Sequence, residues 1–366
     1  MSLKAGIIGM PNVGKSTIFN SITNNQILAA NYPFATIDPN IGVVSVPDKR
    51  LFVLKKMYEP LKTIPTTVEF IDIAGLVSGA SKGEGLGNKF LSHIREVDAI
   101  IQVIRCFKDD DIIHVEGNVN PKRDIDIINL ELTLSDLEIV ENRITKIEKK
   151  AKTTNDKESL FELSTLKKAK EYLDKNEALR NVSFSKEELE VLKVFNFITL
   201  KPIIYLANIS EEDIVENNNE YINEISTYVG SENLILICAK LESELINLNE
   251  EEKLEFLKEL NINETGLDKL IKKTYEILGL KTFFTVGKDE CRAWTFKVGM
   301  KAPECAGIIH TDFQKGFIKA EVMSYDDLIT YGNEQKVKEN GKLRIEGKDY
   351  IMQDGDICYF RFNVTK

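Results

Sequence analysis

The sequence predicts an α/β protein with a mostly parallel sheet covered by helices, a helical insertion and a small α+β domain near the C-terminal end. Runs typical of strands and helices alternate over residues 1–125 and 201–282, as they do in proteins built on parallel sheets. Residues 126–196 contain neither proline nor glycine and show little strand signal. Residues 283–366 contain short strand-like runs separated by glycine. We therefore expect three domains, formed by residues 1–125 with 201–282, by residues 126–200 and by residues 283–366.

The α/β part is predicted to begin with a strand at "KAGIIG", followed by a glycine-rich turn and a helix at "KSTIFNSITNN". Its other predicted strands are "IGVVSV", "TTVEFIDIAG", "AIIQVIRC", "PIIYLAN" and "NLILICA". Helices are predicted at "LGNKFLSHIREV" and "GLDKLIKKTYEILGL". The C-terminal domain has strand-like runs at "AWTFKV", "GFIKAEVM" and "GDICYFRF".

The insertion is predicted to be a helical hairpin. Its two apolar stripes are typical of an antiparallel coiled coil. Apolar residues recur at spacings of three or four, which is typical of a narrow helix–helix seam. The first stripe is Leu137, Val140, Ile144, Ile147 and Ala151, and the second is Leu163, Leu166, Ala169 and Leu173. The polar segment "TTNDKES", Thr153 to Ser159, is expected to form the turn between them.

Composition narrows the class of protein. Apolar residues make up 43% and charged residues 29% of the 366 residues, an ordinary globular mixture. No apolar run approaches the ~20 residues of a membrane helix, and the N-terminal residues lack a secretory layout, so we expect a cytoplasmic protein with no membrane partner. The five cysteines form no CxxC pair, which favours reduced, packed thiols.

The net charge of −10 argues against a polycation that wraps nucleic acid, so no DNA partner is expected. Any contact with RNA must use a local basic patch. The segment "ITKIEKKAK", residues 144–152, is a candidate patch, although a lone charge run of this kind is more often a solvated helix face.

A phosphate-binding loop is predicted at "GMPNVGKST", Gly9 to Thr17, which fits G-x-x-x-x-G-K-[ST] between a strand and a helix. Glycines let backbone N–H groups face phosphate oxygens, and the helix N-terminus adds partial positive charge. Lys15 is expected to reach the β- and γ-phosphates, and the Ser16 hydroxyl is expected to ligate Mg²⁺.

The segment "FIDIAG" is predicted to supply the second part of the phosphate site. Asp72 ends an apolar strand, where its carboxylate can orient the Mg²⁺ shell, and the N–H of Gly75 is expected to meet the γ-phosphate. The glycine-rich "SGASKGEGLG" that follows is typical of a nucleotide switch. Thr36, in a loop before "IGVVSV", is favoured as a further Mg²⁺ ligand over four other threonines, Thr23, Thr63, Thr66 and Thr67.

The residue after Gly75 is Leu76, at the position where many GTPases have a glutamine that orients the attacking water. Hydrolysis is therefore expected to be slow, or another group must serve. His114 follows the "AIIQVIRC" strand, at the end of a parallel strand that faces the ligand crevice, and is the candidate. A histidine in a surface loop with no catalytic role is an equally simple interpretation.

Base selection is expected at "PIIYLANISEED". Guanine-specific proteins of this type usually have N-K-x-D after the corresponding strand, and the aspartate accepts two N–H bonds from guanine. No [NT]-K-x-D occurs in the chain, and Asn208 to Glu211 read N-I-S-E at that place. The guanine clamp is therefore incomplete, which leaves the Asn208 amide or nearby backbone to contact the base.

The chain resembles the YchF / Obg-like ATPase family, a branch of the P-loop GTPases, over essentially its whole length. The resemblance is carried by "GMPNVGKST", "EFIDIAGLVSGASKGEGLGN", the N-x-x-E at Asn208 and "RAWTFKVGMKAPECAGIIHTDFQKGFIKAEV". It implies a Ras-like P-loop nucleotide domain, an inserted coiled-coil domain and a C-terminal TGS domain of β-grasp, ubiquitin-like shape.

The same resemblance implies hydrolysis of ATP in preference to GTP, with Mg²⁺ as cofactor, and association with the ribosome through the coiled-coil and TGS domains. By matching motif it places phosphate binding on Asn12, Val13, Gly14, Lys15, Ser16 and Thr17, metal binding on Ser16 and Thr36, and adenine recognition on Asn208 and Ile209. A slow ATPase switch is therefore the leading hypothesis. A GTP-specific enzyme and a ribosome- or RNA-binding module stabilised by nucleotide are the alternatives.

Overall fold

The computed structural model describes residues 3–24, 40–73, 86–154, 156–216 and 219–363. The chain divides into two compact units, Met1–Gly42 with Glu69–Leu270 and Val43–Val68 with Ile271–Lys366. None of the helices in the described ranges is long and apolar enough to cross a membrane. The five cysteines, which all lie within those ranges, are free and buried, as the sequence predicted.

The first sheet has six strands in the order β2–β4–β1–β5–β6–β7. They are β1 Lys4–Gly9, β2 Ile41–Ser45, β4 Thr67–Asp72, β5 Ala99–Arg105, β6 Ile203–Asn208 and β7 Leu234–Ile237. Every pairing from β4 to β7 is parallel. All residues of β5 and β6 are buried, as expected for central strands covered on both faces. Strand β1 pairs with β4 on one side and with β5 on the other. Open parallel sheets bind ligands outside the carboxyl ends of their strands at such a point, so a ligand site is expected at the carboxyl end of β1.

Seven helices accompany this sheet within the described residues. They are α1 Lys15–Asn24, α3 Leu86–Glu96, α7 Glu211–Glu216, α8 Glu220–Val229, α9 Ala239–Leu245, α10 Glu250–Glu259 and α11 Gly266–Ile277. The strands and helices predicted for the α/β part are therefore present, at nearly the predicted positions.

The predicted helical hairpin is present as α4, Pro121–Thr154, and α5, Lys157–Leu173. The 34 residues of α4 give a helix about 51 Å long. The predicted stripes form its core together with residues of α6, Lys186–Lys193: Val140, Ile147, Leu166, Ala169, Leu173 and Leu192 are buried in one cluster. Ion pairs Arg143–Glu162 and Lys170–Glu141 join the two long helices.

The second unit contains a six-stranded sheet in the order β11–β10–β12–β8–β9–β3. Its strands are β3 Lys62–Ile64, β8 Leu280–Thr285, β9 Glu290–Lys297, β10 Phe317–Ser324, β11 Arg344–Glu346 and β12 Asp356–Phe362. Its helices are α2 Lys49–Tyr58, α12 Ala302–Ile309, α13 Thr311–Lys315, α14 Tyr325–Tyr331 and α15 Glu334–Glu339.

Residues 43–68 belong to the second unit, whereas the sequence analysis assigned them to the nucleotide domain. Here β3 pairs in parallel with β9, and Leu51 and Leu54 of α2 are buried against Phe284 and Ile357. A three-residue strand without buried positions has no pattern that reveals its partner, because the partner lies more than 200 residues away in the chain.

Candidate functional site

The phosphate-binding loop connects β1 to α1 and has the backbone geometry that the motif requires. Asn12 and Gly14 both have positive φ, 63° and 94°. At Gly14 a Cβ atom would lie 2.3 Å from Nδ2 of Asn208, so only glycine fits both the conformation and the space. The amide of Ile18 donates to the carbonyl of Gly14 at 3.0 Å, which starts the helix directly after the loop.

A pocket of about 730 Å³ lies at this loop and is called the phosphate pocket below. It is lined by Met10, Pro11, Asn12, Gly14, Lys15, Ser16, Thr17, Asp72 and Ile112. The structure thus brings together most of the residues that the sequence assigned to phosphate and metal. Val13, which is also part of this loop, is buried. Thr36 and Gly75, the other two assigned residues, lie outside the described residues.

Lys15 and Asp72 form an ion pair across the phosphate pocket. Their side chains are 11% and 18% exposed, so this pair lies in a partly desolvated place where charge interactions are stronger than on the surface. The lysine begins α1 and the aspartate ends β4. A phosphate group and a divalent cation would therefore each meet an opposite charge here.

The donor set fits magnesium. The Ser16 hydroxyl and the Asp72 carboxylate line the same pocket, and Mg²⁺ prefers such hard oxygen ligands with few protein groups, its other positions being taken by water and phosphate. No group of three or more His, Cys, Asp or Glu side chains that could hold a metal occurs among the residues described.

Asn208, at the end of β6, links the P-loop to the segment that follows β7. Its buried amide donates from Nδ2 to the carbonyl of Val13 at 2.9 Å, and its Oδ1 accepts from the N–H of Ala239 at 3.0 Å. One amide N–H and one lone pair remain for a ligand. Ile209, beside it, is 4% exposed and donates its N–H to the carbonyl of Ile237 at 2.8 Å.

Glu211 occupies the position where guanine-specific proteins have aspartate. Its Oε2 is 3.1 Å from Nζ of Lys240, which lies in α9, the helix that follows β7. The pair is solvent-exposed, at 43% for Glu211 and 69% for Lys240. The carboxylate is therefore partnered by a cation.

The loop from Cys106 to Asn120, between β5 and α4, forms one wall of the phosphate pocket through Ile112. Asn12 donates from Nδ2 to the carbonyl of Ile113 at 3.1 Å, which ties this loop to the P-loop. His114 follows directly, and its side chain is buried. Its Nε2 lies 2.9 Å from Oδ2 of Asp124, and its Nδ1 accepts from the N–H of Glu116 at 3.1 Å.

Sequence reasoning missed Arg105, which organises this loop. The fully buried guanidinium donates to the carbonyls of Phe107 at 3.2 Å, Asp109 at 2.9 Å and Ile112 at 2.9 Å. A charged residue near the end of the largely apolar "AIIQVIRC" was the available signal. Buried charges need such partners.

Comparison with known proteins decides the family. Residues 4–143 match the family described as 50S ribosome-binding GTPase, and residues 280–363 match YchF-GTPase_C, a domain described as of unknown function. "Ribosome-binding ATPase YchF" of Bacillus subtilis is 56% identical over the full length of both chains. The chain belongs to the YchF family.

Other YchF proteins agree with this assignment. The protein of the same name from Escherichia coli O157:H7 is 50% identical over the full length of both chains. A solved structure titled "Structure of the Schizosaccharomyces pombe YchF GTPase" matches with a TM-score of 0.90 and 43% identity, covering 98% of each chain. The fold class predicted from the sequence, a P-loop α/β domain with a helical insertion and a C-terminal domain, is confirmed.

Proposed function

We propose that this YchF protein hydrolyses ATP with Mg²⁺, prefers ATP to GTP, and acts as a slow nucleotide-dependent switch. The observation that carries the proposal is the convergence of Lys15, Ser16 and Asp72 in one pocket at the P-loop. The full-length relatives from Bacillus subtilis and Escherichia coli are named ribosome-binding ATPases, which supports the same activity here.

In this proposal the P-loop binds the phosphates through the backbone N–H groups of residues 12–17 and through Lys15. Ser16 and Asp72 hold magnesium, with Thr36 as the further ligand, and the N–H of Gly75 contacts the γ-phosphate. Magnesium held there would neutralise charge that develops on the phosphates. His114 positions the attacking water in place of the glutamine that Leu76 replaces, and the absence of that glutamine keeps turnover slow.

We attribute the preference for adenine to the segments that follow β6 and β7. Asn208 and Ile209 contact the base, and the second amide N–H of Asn208 suits N7, an acceptor that both purines share. Guanine additionally offers N1–H and N2–H₂ donors, which need a free carboxylate. Glu211 is longer than the usual aspartate, and its charge is compensated by Lys240, so the extra affinity for guanine is lost.

GTP hydrolysis is the second candidate function, because the solved Schizosaccharomyces pombe relative carries the name GTPase. We also propose that the protein is cytoplasmic and associates with ribosomes through its helical hairpin and C-terminal domain. The names of the bacterial relatives support that partner.

Steady-state phosphate release, measured with ATP in the presence and absence of ribosomes, tests the activity. We expect slow release that requires Mg²⁺ and falls about 100-fold or more in Lys15→Ala, as on loss of one charge-stabilising donor. Release that is the same in wild type and Lys15→Ala would leave only the nucleotide-stabilised binding module.

A further inference from the structure

His114 is held from both sides in a way that fixes its tautomer. The N–H of Glu116 can only donate, so Nδ1 of His114, at 3.1 Å, must be the acceptor. The ring proton is therefore on Nε2, which donates to Oδ2 of Asp124 at 2.9 Å. Neither ring nitrogen is available to a water molecule in this arrangement.

Burial separates the same ring from solvent. The side chains of His114 and Asp124 are each 3% exposed. Yet the preceding residues are at the phosphate pocket, since Ile112 lines it and the carbonyl of Ile113 accepts from Asn12. The imidazole is thus held away from the phosphate pocket, although Ile112, two residues earlier in the chain, lines that pocket.

Arg105 and Asn12 hold the loop as far as the carbonyl of Ile113, and the residues on either side of His114 are packed more loosely. The side chain of Ile113 is 78% exposed and that of Val115 is 55% exposed, so neither anchors the backbone by packing. Gly117 has a φ of 82° with open space around it, and it closes a turn by donating its N–H to the carbonyl of His114 at 3.0 Å. The contact with Asp124 is the buried polar bond that holds the side chain.

Asp124 lies in the first turn of α4, the first long helix of the hairpin. Its other oxygen, Oδ1, accepts from Nη2 of Arg123 at 3.2 Å, and the same guanidinium is fixed by Asn118 through bonds of 2.7 and 2.8 Å. The carboxylate therefore keeps a cationic partner when His114 leaves. That partner lowers the cost of breaking the His114 bond.

We propose that Asp124 is a positioning residue that latches His114 in a withdrawn place, and that release of this bond admits the imidazole to the phosphate pocket. The latch is anchored on α4, so it links the hairpin to the hydrolysis step. The inference rests on the proposed role of His114 in nucleotide hydrolysis. It adds an inhibitory contact that limits turnover in the free protein.

Single-turnover hydrolysis and ATP affinity of Asp124→Ala, His114→Ala and the double variant test the latch. We expect Asp124→Ala to raise the hydrolysis rate about tenfold, the effect of removing one hydrogen bond to a charged group, with unchanged ATP affinity. The double variant should hydrolyse as slowly as His114→Ala. Asp126→Asn is the matched control, because Asp126 lies on the same turn of α4 and bonds Tyr228 instead; it should behave as wild type.

A rate in Asp124→Ala at or below that of wild type would overturn the latch, as would a double variant that keeps the increase. Asp124→Asn retains the shape and an acceptor for Nε2–H, and serves if the alanine variant does not fold. It should give a smaller rise of about threefold, and no rise would contradict the proposal. If His114→Ala hydrolyses as fast as wild type, both the latch and the role of His114 fail. A preference for GTP would overturn only the proposed substrate, and the same comparison would then be made with GTP.

Discussion

Asn208 donates its side-chain amide to the backbone carbonyl of Val13 at 2.9 Å, so the residue that the sequence assigned to base recognition also holds the phosphate loop in place. Its second bond, from the N–H of Ala239 at 3.0 Å, joins the loop after β7 to the same point. Base-side and phosphate-side geometry are therefore coupled through one buried side chain.

Replacement of Asn208 by alanine should weaken ATP and GTP binding equally, by about tenfold or more. The change leaves the carbonyl of Val13 and the N–H of Ala239 without their partner, each a loss of about 1–3 kcal/mol, and it removes a contact to N7 that both purines can make. Isothermal titration with each nucleotide measures this effect.

Asn219→Ala is the matched control, because this buried asparagine also donates to a backbone carbonyl, that of Cys106 at 2.8 Å, away from the P-loop. It should retain nucleotide affinity. Loss of ATP binding with retention of GTP binding in Asn208→Ala would instead show that Asn208 distinguishes the bases.

Asp72→Asn should raise the Mg²⁺ concentration that hydrolysis requires and should strengthen the binding of ATP in the absence of metal. The variant loses a carboxylate that is proposed to hold Mg²⁺, so the Mg²⁺ concentration for half-maximal hydrolysis should rise about tenfold or more. It also frees Lys15 from its ion pair, so ATP should bind more tightly in the presence of a chelator.

Asp98→Asn is the control for the loss of one carboxylate near the sheet. Asp98 lies just before β5, and its carboxylate accepts from the backbone N–H of Lys4. An unchanged Mg²⁺ requirement in Asp72→Asn would remove Asp72 from the metal site.

Lys240→Ala should shift the nucleotide preference toward GTP by less than about fivefold, the range for exposed ion pairs. The substitution leaves the Glu211 carboxylate without its cation at 3.1 Å, which makes it a better acceptor for guanine N–H groups. Lys240→Arg keeps the charge and should keep the wild-type ratio. Competition between labelled ATP and unlabelled GTP gives the ratio directly, and a shift toward ATP would refute the role of the pair.

Glu242 should make stability depend on pH. Burial raises the pKa of its carboxyl from 4.5 to about 7, against the N–H groups of Leu267 and Gly266, which lower it. The folded protein then binds more protons than the unfolded chain between those two values. The contribution of Glu242 to the free energy of unfolding therefore falls as pH rises from about 4.5 to about 7, by about 3 kcal/mol at most.

Glu242→Gln keeps an oxygen acceptor for those N–H groups and removes the ionisable carboxyl. It should be less pH-dependent than wild type, and more stable above pH 7, in urea unfolding followed by circular dichroism. The exposed Glu244 lies on the same helix, so Glu244→Gln is the control and should follow wild type. If the free energies of unfolding of wild type and Glu242→Gln change in parallel with pH, Glu242 is not the origin of the pH dependence.

The sequence was sufficient where short-range patterns decide the structure. Largely apolar runs predicted the central strands β5 and β6, whose residues are buried because both faces are covered. Spacings of three and four predicted the seam of Val140 and Ile147 in the hairpin, and G-x-x-x-x-G-K-S placed Lys15 and Ser16 at the start of α1.

Long-range contacts could not be predicted in this way. The pairing of β3 with β9 joins residues more than 200 positions apart. The buried bonds of Arg105 to three carbonyls, and of His114 to Asp124, depend on how one loop folds onto α4. No periodicity records either arrangement.

The central claim is that the pocket at the P-loop binds and hydrolyses ATP in preference to GTP. Titration of the wild-type protein with ATP and with GTP, at the same Mg²⁺ concentration and with phosphate release measured in parallel, tests it most directly. We predict tighter binding of ATP and faster phosphate release from it. Tighter binding of GTP, with release from GTP alone, would contradict the account.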